Sequence, residues 1–344
     1  MRATVVALSF FMVIGRTFAV PIPPSPFAVS AKAALSIRIV EENTGEGVEG
    51  VSVACILPSS VNIFGDTGYT IVTNATDRKG EVHFRGKVYN DRVECFVVDR
   101  TGYYPLPYLK VWFTNITESL VKKWLPYDEV QIVTLQKKSN PIPLFVREED
   151  EGWYRDLTTA PDRKFCYDLV KGDWMPPFGK GEHADIEFKV LPRENFGIGR
   201  GPSGRPKPSF RDTVSVEFAE DGNGVIKIAP PPNAVLKVRS APADGYLGKF
   251  SIWFGQTKTM QDDTNIDKEA CHAFRIRTIK DKQGKIVSAL YGKIYGDFRI
   301  SYRYYLIPTG VMFTYYLNLT PNDRNLEWDM KHNLCPVRGS FNQP

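Results

Sequence analysis

Apolar and polar positions alternate with a period of two along most of this chain, in runs of four to ten residues. Leu35-Ser36-Ile37-Arg38-Ile39-Val40 opens the series. Val48–Leu57, Glu81–Phe84, Val93–Val98 and Asp128–Leu135 follow, separated by clusters of Gly, Asn and Asp. A period of two sends successive side chains to opposite faces of a strand, so these runs predict a small antiparallel sandwich over 34–138. Ser139-Asn140-Pro141-Ile142-Pro143 cannot continue a ladder, because proline has no N–H to give. A boundary is therefore placed there, with a linker over 139–146.

The same pattern fills residues 147–335. Ala184–Val190, Thr213–Phe218, Val225–Ile228, Val235–Val238, Phe250–Phe254, Ala273–Ile279, Ile286–Tyr291, Phe298–Ile307 and Val311–Leu319 read as strands. Asp221-Gly222-Asn223-Gly224, Asp281-Lys282-Gln283-Gly284 and Pro308-Thr309-Gly310 read as hairpin turns. Ser119–Trp124 and Thr264–Ala270 are the best short-helix candidates. Asn195–Pro208, rich in Gly and Pro, reads as a long loop. Strands without intervening helices predict an all-β protein, the second domain a larger sandwich or jelly-roll-like body, with 336–344 as a tail.

Composition narrows the class. The 344 residues are 42% hydrophobic and 24% charged, enough for two packed cores and too apolar for global disorder. The formal net charge of +5 is spread without a dense Lys/Arg stripe, which argues against a nucleic-acid surface. Arg2, the apolar run Ala3–Ile14 and the small residues around Thr17-Phe18-Ala19 read as a secretory signal over 1–19. A Pro-rich leader occupies 20–33. No later apolar stretch has the length of a membrane helix, so an exported protein, secreted, periplasmic or on the cell surface, is expected. Five cysteines fit an oxidising compartment. Cys55 and Cys95 fall on the inner faces of their strands by alternation. A buried disulfide between them is the favoured pairing, with two buried thiols the alternative.

No residue cluster stands at the spacing of a metal site, and nothing in the sequence asks for a cofactor. His83, His183, His272 and His332 are scattered, and the adjacent Cys271 and His272 point to opposite faces. Gly199-Arg200-Gly201-Pro202-Ser203-Gly204 has the letters of a dinucleotide loop, but Arg205-Pro206-Lys207-Pro208 after it cannot open a helix. Asp262, Asp263, Asp267 and Glu269 lack the spacing of a calcium loop. The carboxylates that would serve a glycosidase-like reaction are Asp185 with Glu187 on one strand face, and Asp323, Glu327 and Asp329.

Aromatic residues are the one enrichment with functional colour: 16 Tyr, 21 Phe and 6 Trp. Tyr302-Arg303-Tyr304-Tyr305 and Phe313-Thr314-Tyr315-Tyr316 flank one turn. If one face fills the core, Tyr305 and Tyr316 point outward beside Arg303. With Trp153 and Trp174 in loops, these form the candidate ligand-binding set, suited to stacking on a sugar or a surface partner. Core packing is the competing use of the same residues. Three Asn-x-Ser/Thr sequons occur, at Asn74, Asn115 and Asn318.

Specific residues in 34–138 carry a family likeness. Asn43-Thr44-Gly45-Glu46-Gly47-Val48-Glu49-Gly50-Val51, then Thr76-Asp77 with Gly80 and Phe84, then Gly102-Tyr103, match its turn, hairpin and late Gly-Tyr. On these residues the segment resembles the carboxypeptidase regulatory-like family, a transthyretin-like (prealbumin-like) Ig-like sandwich. Ser59–Thr73 is longer than that family's hairpin, and Tyr104–Trp124 is an aromatic-rich insertion. The resemblance implies a structural or binding appendage without chemistry of its own. The sequence thus leads to an exported, non-catalytic binding or structural protein. An extracytoplasmic hydrolase and an architectural envelope component are the competing readings.

Overall fold

The computed structural model describes residues 30–61, 67–89, 91–105, 109–117, 120–149, 164–200, 204–229, 236, 238–303 and 307–336. Residues 1–29, which cover the expected signal and most of the expected leader, and most of the tail lie outside these; residues 31–33 of the expected leader are already strand. The described residues form strands and turns only, and no helix long and apolar enough to cross a membrane occurs among them. The chain divides into two units. The first comprises the residues through Thr101 together with Pro105–Leu135; the second comprises Gly102–Tyr104 and the chain from Gln136.

The first unit contains β1 (Ala31–Glu41), β2 (Ser52–Val61), β3 (Thr67–Ala75), β4 (Glu81–Val88), β5 (Arg92–Asp99), β6 (Leu109–Trp112), β7 (Asn115–Ile116), β8 (Trp124–Leu125) and β9 (Glu129–Leu135). A three-stranded sheet runs β4-β1-β9, a four-stranded sheet runs β3-β2-β5-β6, and β7 and β8 form a separate pair. Period-two burial builds this sandwich. Leu35, Ile37 and Ile39 of β1 are buried, as are Val53, Cys55 and Leu57 of β2 and Val93 and Cys95 of β5. A void of about 20 Å³ between Ile37, Ile39, Val53, Cys95 and Val133 is too small for much beyond a single water.

Gly80 shows why the β3–β4 connection has its sequence. Its φ is +78°, and a Cβ there would overlap the carbonyl oxygen of Ile39 and the backbone of Gly47 and Val48. Only glycine accepts both constraints. Asp77 stabilises the same turn by accepting hydrogen bonds from the N–H groups of Lys79 and Glu81.

The second unit contains β10 (Ile142–Glu149), β11 (Lys164–Asp168), β12 (Asp173–Trp174), β13 (Ile186–Val190), β14 (Glu194–Arg200), β15 (Pro206–Phe218), β16 (Gly224–Ile228), β17 (Lys249–Gln256), β18 (Asp262–Thr264), β19 (Cys271–Lys280), β20 (Ile286–Arg303), β21 (Ile307–Asn318) and β22 (Trp328–Asn333). One sheet runs β16-β19-β20-β21-β10-β22. The other runs β12-β11-β13-β15-β17-β18, with β14 also paired to β15. Side chains from both sheets interleave in a core rich in aromatic rings. Phe165, Tyr167, Trp174 and Phe188 come from one sheet; Phe274, Phe298, Phe313 and Tyr315 come from the other. Tyr167 and Phe313 meet edge-on across it, with ring centroids 5.2 Å apart.

Three local expectations change. Neither short helix forms. Around Thr264–Ala270 the Thr264 hydroxyl accepts from the Ile266 N–H, and the Asp267 carboxylate accepts from the Glu269 N–H. Such side-chain bonds compete with a helix for the same backbone donors. Ser119 lies outside the described residues, and the chain from Leu120 enters the two-residue strand β8. The 195–208 segment is not one long loop, because β14 pairs with β15 on either side of its turn. Gly199 belongs to that ladder, and a Cβ there would strike the carbonyl of Lys258. The glycine is thus a packing device, not part of a phosphate cradle. Finally, 286–291 and 298–307 belong largely to one long strand, β20, whose pairing with β21 slips between Tyr295 and Arg299 at Gly296.

Candidate functional site

The aromatic residues singled out near the C-terminus do not make an exposed platform. Tyr316 is fully buried, packed against Trp328 at 5.3 Å and Tyr295 at 5.1 Å, beside Leu144 and Val146. Alternation put Tyr315 and Tyr316 on opposite faces correctly. The expectation failed because β21 is covered on both faces, the second by Trp328 and its neighbours. Trp174 is likewise not a loop residue open to a ligand. It sits in β12 at 1% exposure, edge-on to Tyr167 and Phe165. Trp153 and Tyr305 lie outside the described residues, as does the side chain of Arg303.

The carboxylates of the hydrolase reading are held in structural roles. Glu327 is 2% exposed. It accepts hydrogen bonds from the Ser139 hydroxyl at 2.5 Å and the Ser139 and Asn140 N–H groups at 2.8 and 2.9 Å. Arg239 at 2.8 Å and the Tyr104 hydroxyl at 3.0 Å complete its shell. Burial works against its charge, but these donors prevail and bring its pKa down to about 2. An acid so strongly ionised has no proton to give a leaving group. Asp323 lines the same open polar hollow of about 450 Å³ and is occupied by the side chain of Asn318 and the N–H of Asn325.

Asp185 is fully buried, and burial raises its pKa, yet it shares Arg277 with Asp168 and accepts from the Leu169 N–H. Glu187 pairs with Lys164 on the surface, and Asp329 holds His332. Among the described residues no group of three or more His, Cys, Asp or Glu side chains is arranged to hold a metal ion.

One contact brings together the residue types of a hydrolytic triad, which the sequence reading missed. The Ser36 hydroxyl lies 2.7 Å from His83 Nδ1 and donates to Asp128 Oδ1 at 2.8 Å. The order is wrong for catalysis. A nucleophilic serine gives its proton to a histidine that the acid orients. Here the serine is the middle member, gives its proton to the acid, and is 3% exposed.

The exposed aromatic surface lies instead in the first unit, on the outer face of the four-stranded sheet. Tyr69 of β3 is 60% exposed, Ile71 60% and Trp112 of β6 55%. Strand register arranges them in rows. Tyr69 pairs with Pro58, and Arg92 pairs with Trp112. In the neighbouring row Ile71 pairs with Ile56, Ile56 with Glu94, and Glu94 with Lys110. From β3 to β6 the face spans three strand spacings, about 14 Å of backbone. Ile56, Pro58, Tyr69, Ile71, Arg92 and Glu94 line a shallow concavity of about 330 Å³. Its polar edge is ordered: Arg92 pairs with Glu94 at 3.2 Å and its guanidinium lies 5.3 Å from the Trp112 ring centre. Apolar floor, exposed rings and fixed charged groups together suit stacking plus hydrogen bonding. Glu94 is the one acid of that lining, and it is tied to Arg92.

Fold and site thus define an all-β, two-unit chain with an aromatic sheet face in its first unit. No protein-family model matches the sequence, and no curated protein matches it closely enough to count as a relative. Among solved structures, 3-chlorocatechol 1,2-dioxygenase from Rhodococcus opacus 1CP aligns over 38% of this chain and 70% of its own, at 11% identity and a TM-score of 0.25. The shaft pilin SpaA from Lactobacillus rhamnosus GG aligns over 57% and 90%, at 9% identity and a TM-score of 0.21. BcpA, the major pilin subunit of Bacillus cereus, aligns over 86% and 99%, at 9% identity and a TM-score of 0.21. Likenesses at these TM-scores carry neither a shared architecture nor an activity to this chain.

Proposed function

We propose that this chain is an exported, non-catalytic binding protein that takes carbohydrate on the outer face of the β3-β2-β5-β6 sheet. The observation that carries the reading is the pair of exposed rings, Tyr69 and Trp112, at the two edges of one sheet face whose floor is Ile56 and Pro58. Monomeric proteins seldom leave such rings and Ile71 together in water without a use for them. Sugars present apolar ring faces and peripheral hydroxyls. Tyr69 and Trp112 suit the first, and Arg92, Glu94 and Lys110 suit the second. Export rests on the signal-like N-terminal run.

The resemblance of residues 34–138 to the carboxypeptidase regulatory-like family would suit a binding appendage, although Gly102 and Tyr103 of its pattern fall in the second unit. Gly80 turns the chain at a φ of +78° and Phe84 is buried. The two segments that exceed the family pattern are the ones that bring the aromatic groups. The long 59–73 hairpin carries Tyr69 and Ile71, and the 104–124 insertion carries Trp112.

A glycan array followed by calorimetry on the full chain tests the proposal. Tyr69→Ala and Trp112→Ala are each expected to weaken binding roughly tenfold, the worth of one ring stacked on a ligand. Both sites are exposed, so melting temperatures should hold. Binding unchanged in the double variant, or no glycan bound by the wild type, overturns the carbohydrate reading. Capture of a defined surface protein that the double variant loses would assign the same face to a protein partner.

A further inference from the structure

The second unit holds a separate pocket with a different chemistry. It lies between β17, β18 and the distal half of β20, has a volume of about 270 Å³, and belongs to none of the sites above. Phe254, Ile266, Ile300 and Tyr302 form apolar walls, and Asp262, Thr264, Lys268 and Arg299 form the polar part. We propose that this pocket binds a small amphipathic anion, a single aromatic ring bearing a carboxylate.

The apolar walls are rigid. Tyr302 and Phe254 pack at 5.5 Å between ring centres, and Tyr302 donates its hydroxyl to Asp212 at 3.0 Å. Asp212 is 2% exposed and is gripped by both arms of Arg193 at 2.7 Å. The ring that lines the pocket is therefore fixed by a buried ion pair behind it, so little order has to be imposed when a ligand arrives. Thr264 is equally settled, donating to the Trp253 carbonyl at 2.8 Å and accepting from the Ile266 N–H. Phe254, Ile266 and Tyr302 also pack against the central core, so the walls continue a close-packed interior.

The charge balance sets the sign of the ligand. Lys268 and Arg299 are two cations on one lining, and neither is ion-paired with a described carboxylate. The acids nearby are mostly engaged: Asp263 holds Arg211, Asp267 holds Lys227, and Asp297 is buried, accepting from the Phe298 N–H. Asp262 is the one acid of the lining itself, so the pocket keeps an excess of one positive charge. A planar carboxylate matches a guanidinium in two parallel hydrogen bonds, and an adjacent ammonium adds a point charge. The volume falls just under the roughly 300 Å³ at which drug-sized pockets begin, which limits the apolar body to about one ring.

3-Phenylpropionate is the probe, titrated into the full chain by calorimetry and by chemical-shift perturbation. Saturable binding is expected, with shifts at Phe254, Ile266, Arg299 and Tyr302. The uncharged 3-phenylpropanamide and the ringless propionate are each expected to bind roughly tenfold more weakly, since each lacks one of the two contributions. Lys268→Gln/Arg299→Gln, at positions outside the core, should keep its melting temperature and lose about tenfold in affinity for the acid but not for the amide. Tyr69→Ala should leave this binding unchanged, which separates it from the carbohydrate face. Absence of saturable binding, equal affinity for acid and amide, or an unaffected double variant would each overturn the proposal.

Discussion

Cys55 and Cys95 stand directly opposite each other on β2 and β5, with their sulfur atoms 2.9 Å apart and both side chains shut off from solvent. They are thiols in this structure. Their hydrogen bond and burial push the Cys55 thiol far above its ordinary range, so Cys55 does not attack readily once the unit is folded. Closure should therefore accompany folding under oxidising conditions. Non-reducing peptide mapping of protein folded in a glutathione redox buffer is expected to give the Cys55–Cys95 cross-link. Cys166, Cys271 and Cys335 should remain alkylatable after unfolding. A cross-link from Cys55 to any of those three would refute the pairing.

Glu327 should make the second unit sensitive to acid. Its pKa is about 2 in the folded chain against 4.5 for an unperturbed side chain, so the stabilisation is complete above pH 4.5 and is lost as pH falls toward 2. The shift corresponds to about 3 kcal/mol. Urea unfolding of Glu327→Gln is expected to show a deficit of that order at pH 6, narrowing markedly by pH 3. A deficit that does not change with pH would mean the loss comes from packing and hydrogen-bond geometry and not from the carboxylate's charge.

Lys293 works in the opposite pH range. It is fully buried, donates to the carbonyls of Val238 and Leu326, and lies 5.0 and 5.3 Å from the ring centres of Tyr295 and Tyr316. Burial brings its pKa down to about 7, against 10.5 when unfolded. Between those values the unfolded chain holds a proton that the folded chain has released, so this residue adds stability as pH rises from 7 to 10.5. Wild type is expected to gain on Lys293→Met over that interval, read from unfolding midpoints at pH 7 and pH 10. A constant difference would show that the two carbonyls and the rings keep the ammonium charged throughout.

Gly80→Ala should cost more than about 2 kcal/mol, because it combines a left-handed backbone with steric overlap on three backbone neighbours. Gly102→Ala is the control. It has a positive φ of 85° but no atom within 4 Å of the added carbon, so it should cost roughly 1 kcal/mol. Chemical denaturation of the two variants separates strain from collision.

Asn318 should stay unmodified even in a host that glycosylates its sequon. It is 3% exposed, and its side-chain amide donates to the carbonyls of Asp323 and Asn325 and to the Asp323 carboxylate. Asn74 and Asn115 are exposed and remain open to modification. Glycopeptide mapping checks this; occupancy at Asn318 would require that segment to be modified before it folds.

What the sequence revealed follows what period-two alternation can encode. Alternation placed Leu35, Ile37 and Ile39 inside, and it put Cys55 and Cys95 on inner faces, because each of these strands turns an apolar face to the core, although Ala34 and Ser36 on the other face of β1 are covered as well. It misplaced Tyr316 because a strand covered on both sides has no outward face, and the cover, Trp328, arrives from another part of the chain. Trp174 looked like a loop residue because a two-residue strand leaves no periodic trace. Tyr69 and Trp112 went unremarked for a related reason. Each is ordinary in its own strand, and only the pairing across four strands collects them on one surface. The pocket at Tyr302 was illegible for the same reason, since Phe254 and Arg299 converge from two strands and Lys268 from the turn between two others.

The place of β10 in its sheet has a bearing on how the protein is made. This strand opens the second unit, yet its neighbours on either side are β21 and β22, and the Val146 N–H donates to Asn333 across 187 residues of sequence. During synthesis Leu144 and Val146 leave the ribosome long before any partner exists to shelter them. Contacts this distant slow folding and prolong the exposure of apolar edges. The second half of the nascent chain is thus the part that a holding chaperone would be expected to guard, while the first sandwich can close ahead of it as soon as β9 emerges.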